Sequence, residues 1–329
     1  MKIYTVYTNF HSYGGAELIA LNISSGLKER GYEVIILSYS KKTKFHKNYL
    51  FGDLSIERIT FSSFFRIGKN DILISHHRKM TSLFLIWKVL FFKKYTIIHV
   101  AHNEFTTLKY FSLFSKKIVA VSNKVKQNLI DYFMINSDRV RVIYNGIHDS
   151  QLGYFNKERT KRILIPARVN KVKRQLEIFD ELKGKIPDNI EIHFAGVGED
   201  FDELKYRVYA NNNSQFKVLG FCSIEDIIRE YDFVMLFSKN EGLPTVFIEA
   251  FMYSKPIICN NVGGNLEILD DGVNGFCVHN FDELLSIIHV IDNMHDEDYF
   301  TMCENARKKY ESYFLISKMI DSYEKLILE

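Results

Sequence analysis

Short apolar runs alternate with longer amphipathic stretches along almost the whole chain, and this alternation constrains the fold more than any other feature. Most runs are rich in Ile and Val and apolar almost throughout, which is typical of strands buried on both faces of a parallel sheet. The stretches between them have the apolar spacing of helices that pack on a sheet. Regular strand–helix alternation predicts βαβ units, and therefore a doubly wound α/β fold.

The predicted strands form two groups of six, separated by a polar stretch at residues 148–160 that we interpret as a linker. The strands are residues 2–9, 33–40, 71–76, 95–102, 117–122 and 140–147, then 162–168, 190–197, 216–221, 233–238, 256–262 and 274–278. The predicted helices include residues 17–30, 124–133, 173–183, 247–253, 281–294 and 316–328. Much of the region 41–70 has no pattern that assigns it.

The length of 329 residues is enough for two domains, each with its own core. We predict a Rossmann-like domain at residues 1–150, a second at 151–312, and a C-terminal helix within 313–329 that packs back on the first domain. Ligands of open α/β sheets bind at the carboxyl ends of the strands, so two such domains facing across a cleft would enclose the site.

Charge is distributed unevenly between the two halves. Residues 1–150 contain 22 Lys and Arg against 10 Asp and Glu, a balance of +12, whereas residues 151–329 have a balance of −9. A basic half suits an anionic partner, and lysines interleaved with large apolar residues suit a membrane surface; the alternative is an unevenly charged solvated surface. No nucleic-acid-binding module accompanies the charge, so nucleic acid is not expected. The lysines in question are Lys88, Lys93, Lys94, Lys116 and Lys117.

Several function classes are disfavoured by what the sequence lacks. The four cysteines form no C-x-x-C pair, which argues against a zinc site or a redox dithiol and favours a reducing compartment. The chain starts without a charged-then-apolar leader, and no apolar run reaches the roughly 18–20 residues that span a bilayer. We therefore expect a cytoplasmic protein, peripheral at the inner face of the cell membrane.

The densest chemical signal lies in residues 232–275. A predicted strand runs into the loop Glu241-Gly242-Leu243-Pro244-Thr245, and the helix that follows contains Glu249. The backbone N–H groups at the start of that helix favour phosphate. Carboxylates beside them can accept hydrogen bonds from the hydroxyls of a sugar or a ribose.

Residues 241–249 resemble the E-x7-E signature of the retaining, nucleotide-sugar-dependent glycosyltransferases of GT-B fold, family 4, which include lipopolysaccharide, capsule and mannosyl-lipid transferases. Arg168 and Lys173 match that family's G-R-x4-K-G segment. Further matches follow the family's order along nearly the whole chain. They are Gly14 to Glu17, Val121-Ser122, residues 143–147, Pro256, Gly263-Gly264, Glu267 and residues 272–275. In three places the chain departs from the pattern, because Ala167, Arg174 and Ser254 stand where the family has glycine.

The resemblance implies a role for each matching residue. Arg168 and Lys173 would bind the diphosphate and stabilise the departing nucleotide, Glu241 would contact the donor sugar, and Glu249 the ribose. His102 would face the donor sugar from the first domain. The remaining substrate-binding residues implied are Gly14, Gly15, Phe221, Gly242, Leu243, Pro244, Thr245 and Val246.

No metal or cofactor is expected. The two D-x-D matches, Asp200 to Asp202 and Asp296 to Asp298, are interpreted as acidic first turns of helices. The sequence also offers no obvious nucleophile with a base, so catalysis would depend on positioning and charge stabilisation.

The function implied is retaining transfer of a hexose or N-acetylhexosamine from a UDP-sugar, with GDP-mannose as the alternative donor, to a saccharide or lipid-linked saccharide acceptor in surface polysaccharide synthesis. Two other functions are considered. A non-catalytic GT-B subunit would be expected to lack Arg168, Lys173 or Glu241, all of which are present. A nucleotide-sugar epimerase or phosphorylase on this fold would need a catalytic pair or a cofactor lysine, which the sequence does not reveal.

Overall fold

The computed structural model describes residues 1–11, 14–40, 45–46, 51–150, 159–211 and 214–329. The chain divides into two compact units, the first made of Met1–His148 with Phe314–Glu329 and the second of Asp149–Tyr313. The predicted boundary at residues 150/151 therefore lies two residues from this division. Most of the predicted linker, residues 151–158, lies outside the described residues.

The first unit is built on a parallel sheet of seven strands in its described part, in the order β3-β2-β1-β4-β5-β6-β7. The strands are β1 (Lys2–Val6), β2 (Glu33–Ser38), β3 (Ser55–Arg58), β4 (Ile72–Ser75), β5 (Thr96–Ala101), β6 (Lys117–Ala120) and β7 (Val140–Val142). The helices that precede the second unit are α1 (Gly15–Glu29), α2 (Phe61–Arg66), α3 (Arg78–Leu90) and α4 (Asn123–Asp131).

The second unit has a six-stranded parallel sheet in the order β10-β9-β8-β11-β12-β13, again counted over described residues. Its strands are β8 (Arg162–Pro166), β9 (Glu191–Ala195), β10 (Phe216–Gly220), β11 (Phe233–Leu236), β12 (Ile257–Cys259) and β13 (Gly275–Cys277). The helices from here to the end of the chain are α5 (Gln175–Leu182), α6 (Phe201–Asn211), α7 (Ile224–Ile227), α8 (Thr245–Met252), α9 (Asn265–Ile268), α10 (Phe281–Asn293), α11 (Asp296–Tyr313) and α12 (Ile316–Leu328).

These two parallel sheets confirm the predicted pair of doubly wound α/β units. Every predicted strand is present, but most end two to five residues early; the strand predicted at 140–147 stops at Val142. The reason is that apolar residues continue past the strand into the loop, as Ile143 and Ile147 do while staying buried. Strand β3 and helix α2 occupy part of the region that the sequence left unassigned.

Helix α12 has the bounds predicted from its apolar spacing, and it belongs to the first unit. Two backbone hydrogen bonds hold the start of this C-terminal segment to the first unit. The Ile147 N–H donates to the Phe314 carbonyl, and the Ile316 N–H donates to the Ile147 carbonyl, both at 3.0 Å. The apolar side of α12 then packs on α1, and Ile320 and Tyr323 are buried.

Two of the three residues that replace a family glycine keep a left-handed backbone. Arg174 has φ of 60° just before α5, and Ser254 has φ of 58° just after α8. A side chain in this conformation costs about 1 kcal/mol relative to glycine. At Arg174 other contacts offset the cost, because its guanidinium lies 4.7 Å from the centre of the Phe237 ring and its Nε donates to Glu177 at 2.7 Å.

We expect Ser254→Gly to stabilise the second unit by about 1 kcal/mol, raising its melting temperature by about 2–4 °C. The residue ends α8 in a Schellman motif, with the Ser254 N–H bonded to the Phe251 carbonyl and the Lys255 N–H to the Ala250 carbonyl. Its hydroxyl is buried and has no partner among the described residues. Differential scanning calorimetry of Ser254→Gly and Ser254→Ala separates the backbone effect from the effect of removing the buried hydroxyl. Both variants remove the hydroxyl, but only glycine removes the cost of the left-handed backbone conformation. A lower melting temperature for Ser254→Gly would contradict this account.

Candidate functional site

The strand order of the second sheet reverses between β8 and β11, which are neighbours although 66 residues lie between the end of β8 and the start of β11. A crevice for ligands opens at the carboxyl ends of strands at such a point. The loop after β8 contains Arg168 and Lys173, and the loop after β11 contains Glu241. The fold therefore brings three predicted site residues to one edge of the sheet.

Lys173 and Glu241 form an ion pair, with Lys173 Nζ 2.5 Å from Glu241 Oε1. Glu241 is only 6% exposed, so this carboxylate is almost completely removed from water. The backbone of Lys173 is held as well, because its N–H donates to Asn170 Oδ1 at 3.0 Å. Removing the Lys173 charge would leave the buried Glu241 carboxylate without its partner, which is costly.

Arg168 is exposed on the same loop, so its guanidinium is accessible to an anionic ligand. Two features fix the backbone beneath it. Gln175 Nε2 donates to the Arg168 carbonyl at 3.0 Å, and the turn after β9 packs against the loop so closely that a Cβ at Gly196 would lie 2.0 Å from the Ala167 carbonyl oxygen. The sequence analysis missed Gly196; the available signal was Gly196-Val197-Gly198 directly after a strand and before a helix.

The loop that contains Glu241 rests on the turn after β12. Gly263 has φ of 53°, and a Cβ there would lie 2.0 Å from the Glu241 carbonyl oxygen; the Gly264 N–H donates to the Gly242 carbonyl at 2.7 Å. Asn260, which the sequence analysis also missed, bonds both backbone groups of Ser238, at 2.8 and 3.1 Å. Close backbone packing against the Glu241 loop therefore requires glycine at position 263, and Gly264 adds a backbone hydrogen bond to the same loop.

Helix α8 begins at Thr245, immediately after that loop, with Pro244 at its N-cap. Gly242, Leu243 and Pro244 are buried, whereas Thr245 and Val246 are half-buried at the first turn. The first-turn N–H groups of a helix have no intrahelical acceptor and attract anions. The start of α8 therefore presents backbone N–H groups four residues after Glu241 in the sequence.

Glu249 lies one turn into α8 and is half-buried. Burial, and to a smaller extent the negative charge of the Glu225 carboxylate, together raise the pKa of Glu249 to about 7. Phe221 directly follows β10 and remains 39% exposed. Glu249 can thus act as a hydrogen-bond acceptor whose ionisation falls near neutral pH, and Phe221 offers an accessible aromatic ring.

In the first unit the strand order reverses between β1 and β4. Gly14 is the N-cap of α1, after the loop that follows β1, and Gly15 is the first residue of α1. His76 follows β4 directly and His102 follows β5. His76 Nδ1 lies 2.8 Å from His102 Nε2, and the two imidazole rings stack with their centres 5.1 Å apart.

Both histidines are neutral at physiological pH. Burial lowers the pKa of His102 to about 4 and holds the pKa of His76 well below its usual value. His99, on β5 beneath them, has a pKa lowered by burial to about 3, and its Nδ1 lies 2.8 Å from the Thr81 hydroxyl. His102 is therefore uncharged, and its Nε2 is already in contact with His76.

Both D-x-D matches are acidic helix starts, as interpreted from the sequence. Asp202 lies in the first turn of α6, and Asp296 and Asp298 in the first turn of α11. Over the described residues, no group of three or more His, Cys, Asp or Glu side chains is arranged to hold a metal ion.

Two family profiles match the chain and together cover most of it. The profile described as "Glycosyl transferases group 1" matches residues 153–310, and "Glycosyltransferase Family 4" matches residues 13–151.

Two curated relatives have names that state a biosynthetic role. The O-antigen biosynthesis glycosyltransferase WbnH of Escherichia coli is 28% identical over 220 residues, which cover 67% of this chain and 62% of that protein. The UDP-Gal:alpha-D-GlcNAc-diphosphoundecaprenol alpha-1,3-galactosyltransferase of Escherichia coli is 28% identical over 148 residues, covering 44% of this chain and 38% of that protein. The matched region thus spans less than two thirds of each relative.

Among solved structures, HepE of Anabaena in complex with UDP-glucose superposes with a TM-score of 0.82. The superposition covers 99% of both chains at 18% sequence identity. At this identity the likeness shows a common fold, and it extends over the whole length of both chains.

Proposed function

Because the chain belongs to the family 4-type glycosyltransferases of GT-B fold, we propose that it transfers a sugar, with retention of configuration, from a nucleotide-diphosphate sugar to a saccharide or lipid-linked saccharide in surface polysaccharide synthesis. The observation that carries the proposal is the Lys173–Glu241 pair beside Arg168 at the strand switch point. The names of the matched relatives, from O-antigen and lipid-linked saccharide synthesis, support the choice of pathway.

In the proposed reaction the bond between the sugar C1 and the diphosphate oxygen breaks as the acceptor oxygen bonds to C1 on the same face. The acceptor proton passes to the departing phosphate oxygen. Negative charge develops on the diphosphate, where Arg168, Lys173 and the first-turn N–H groups of α8 stabilise it. Glu241 orients Lys173 and accepts hydrogen bonds from sugar hydroxyls, while His102 donates one to the donor sugar.

The proposed donor is a UDP-hexose or UDP-N-acetylhexosamine. The relative that is named as using UDP-Gal and the superposable protein with bound UDP-glucose support this choice over GDP-mannose. A thermal-shift screen tests it, since a bound donor stabilises the fold by mass action. We expect UDP-sugars to raise the melting temperature and GDP-mannose to leave it unchanged; the opposite ranking would reassign the donor.

Transfer itself is tested with the stabilising donor and a panel of lipid-linked saccharides, with the anomeric configuration of the product read by NMR. We expect retained configuration and activity that persists in EDTA. An inverted product would refute the proposed stereochemistry, and loss in EDTA restored by Mn²⁺ would refute metal-free transfer. Donor binding without transfer to any acceptor would favour a non-catalytic subunit.

The raised pKa of Glu249 predicts that UDP binds more weakly as the pH falls. Above pH 7 Glu249 is an ionised acceptor for ribose hydroxyls, whereas at pH 6 about nine tenths of it is protonated, so we expect about a tenfold loss of affinity from pH 8 to pH 6. The terminal phosphate of UDP also titrates near pH 6, so calorimetric titrations compare the protein with Glu249→Gln, whose affinity should vary less. Equal pH profiles would exclude the role.

The same pKa has a second consequence in the ligand-free protein. The folded-state pKa of Glu249, about 7, lies above its unfolded value of about 4.3. The folded state therefore binds this proton more tightly, and Glu249 makes the protein less stable as the pH rises from about 4 to 7. Glu249→Gln should remove this part of the pH dependence of the free energy of unfolding.

We further propose that the first unit binds an anionic membrane surface, as a lipid-linked acceptor would require. No described helix is both long and apolar enough to cross a bilayer. The surface we propose is an apolar ridge on α2, α3 and the turn after α3, defined by its exposed residues. These are Phe61, Phe65, Ile86, Val89, Leu90, Phe91 and Phe92.

The ridge is continuous because aromatic rings join its two helices. Trp87 stacks on Phe91 with the ring centres 3.9 Å apart. The rings of Phe61 and Phe65 meet Trp87 edge-on, with ring centres 5.1 and 4.8 Å from that of Trp87. Phe92 is 88% exposed at its end. An exposed apolar patch of this kind marks an interaction surface rather than ordinary solvated surface.

The five lysines singled out in the sequence support an anionic bilayer as the partner, but they contribute unequally. Lys94 and Lys116 are exposed. Lys88 Nζ donates to the Tyr95 carbonyl at 2.5 Å, and Lys93 Nζ and Lys117 Nζ donate to the carbonyls of Phe65 and Leu326, both at 2.8 Å. Apolar insertion should therefore supply more of the binding than charge does.

Co-sedimentation with vesicles of phosphatidylglycerol and phosphatidylcholine tests this surface. We expect binding that weakens but persists at 1 M salt, and at least a tenfold loss for the double variant Val89→Glu, Phe92→Glu, since about 0.8 kcal/mol is lost per CH₂ withdrawn from the bilayer. Tyr206→Glu with Tyr209→Glu, exposed aromatics on α6 of the second unit, is the matched control. Equal binding by both double variants would exclude the ridge.

A further inference from the structure

His76 is a buried imidazole at the switch point of the first sheet, and the proposed reaction assigns it no part. It is 7% exposed, its backbone N–H donates to the Val6 carbonyl at 3.1 Å, and its Nδ1 lies 2.8 Å from His102 Nε2. Its other ring nitrogen, Nε2, is buried and has no hydrogen-bond partner among the described residues. The short contact with His102 is therefore the polar interaction that fixes this ring.

The position of the hydrogen in this contact follows from the nitrogen that has no partner. Each neutral imidazole carries one N–H, so one of the two rings must donate and the other accept. If His102 donated, the hydrogen of His76 would sit on the buried Nε2, and buried N–H groups without an acceptor are rarer than unused acceptors. The hydrogen of His76 therefore lies on Nδ1 and points at His102 Nε2.

We propose that His76 is a positioning residue that holds His102 in the tautomer with its hydrogen on Nδ1. Since Nε2 of His102 accepts from His76, the Nδ1–H of His102 remains as the donor for a sugar hydroxyl. This rests on the proposed function, in which His102 contacts the donor sugar. His99 does not compete for the contact, because its own Nδ1 pairs with Thr81.

The tautomer can be measured directly in the unliganded protein by ¹H–¹⁵N correlation spectra of its histidine rings, with His102→Asn identifying the His102 signals. We expect Nδ1–H for His102 in the wild type and in His76→Asn, whose side-chain amide N–H can replace Nδ1–H. In His76→Leu no donor remains, and the Nε2–H form should appear. An Nε2–H tautomer in the wild type would overturn the proposal without any variant having to fold.

Kinetics give the second test. We expect kcat to fall about tenfold or more in His76→Leu and to stay within about threefold in His76→Asn, because a misplaced hydrogen-bond donor loses part of its effect. In a His102→Asn background, His76→Leu should cause no further loss; an equal further loss would show that His76 acts on its own. Absence of sugar transfer by the wild type would refute the proposed function while leaving the tautomer result valid.

Discussion

Replacing Lys173 with Ala should lower kcat for sugar transfer by about 100-fold or more, and Arg168→Ala should do the same, while both proteins stay folded. The reason is the loss of a fixed positive charge at the position where the departing diphosphate gains negative charge. Steady-state kinetics with the identified donor measure the effect. Lys171→Ala is the matched control, because Lys171 is exposed on the same loop and has no assigned role. Unchanged turnover in both Arg168→Ala and Lys173→Ala would refute the proposed role of these two residues in stabilising the departing diphosphate.

The ion pair predicts that the two variants differ in stability although they agree in kinetics. Lys173→Ala leaves the buried Glu241 carboxylate without its partner, whereas Arg168→Ala removes an exposed side chain. We therefore expect the melting temperature to drop for Lys173→Ala and to stay within about 1–2 °C for Arg168→Ala. A normal melting temperature for Lys173→Ala would mean that water reaches Glu241 more easily than its burial indicates.

Glu241→Ala separates the two tasks of that carboxylate. If Glu241 contacts the donor sugar, the variant should lose transfer but keep its affinity for the nucleoside diphosphate. If it serves only to orient Lys173, the variant should lose affinity for the diphosphate as Lys173→Ala does. Calorimetric titration with UDP, beside the transfer assay, distinguishes these outcomes.

The sequence predicted the strands and most helices because their apolar periodicity is strong, and α12 was predicted to the residue. It missed β3, whose four residues are exposed or half-buried at the sheet edge and lack an apolar run. It also missed Asn260 and Gly196, which act on the backbone of other loops. Residues whose role is to hold a distant loop leave only a weak local signal.

Contacts between residues on different loops were the second kind of feature that the sequence did not predict. That Arg168, Lys173 and Glu241 belong to one site followed from the motif, but the bond between Lys173 and Glu241 depends on β8 lying beside β11. The contact between His76 and His102 likewise requires β4 to pair with β5. Strand order is set by the packing of the whole sheet, so the local pattern around each residue does not contain it.

Deleting residues 314–329 should prevent the first unit from folding, although these residues follow the second unit in sequence. The segment buries six large side chains, each contributing about 1.5–3 kcal/mol, and together these equal the whole stability of a typical domain, about 5–15 kcal/mol. The side chains are Phe314, Met319, Ile320, Tyr323, Leu326 and Ile327. The effect is measured as a lower yield of soluble protein, or as faster cleavage of the first unit in limited proteolysis.

A point substitution makes the same test within the full chain. Ile320→Ala should lower the stability of the first unit by about 2–5 kcal/mol, because it opens a cavity where α12 packs on α1. Hydrogen exchange followed by mass spectrometry should show faster exchange in β1 and α1 and no change in β8 and β11, since those strands belong to the second unit. Leu328→Ala, at a position 71% exposed on the same helix, should change neither. Equal protection in Ile320→Ala would mean that the first unit is stable without the buried face of α12, and the truncated chain should then fold as well.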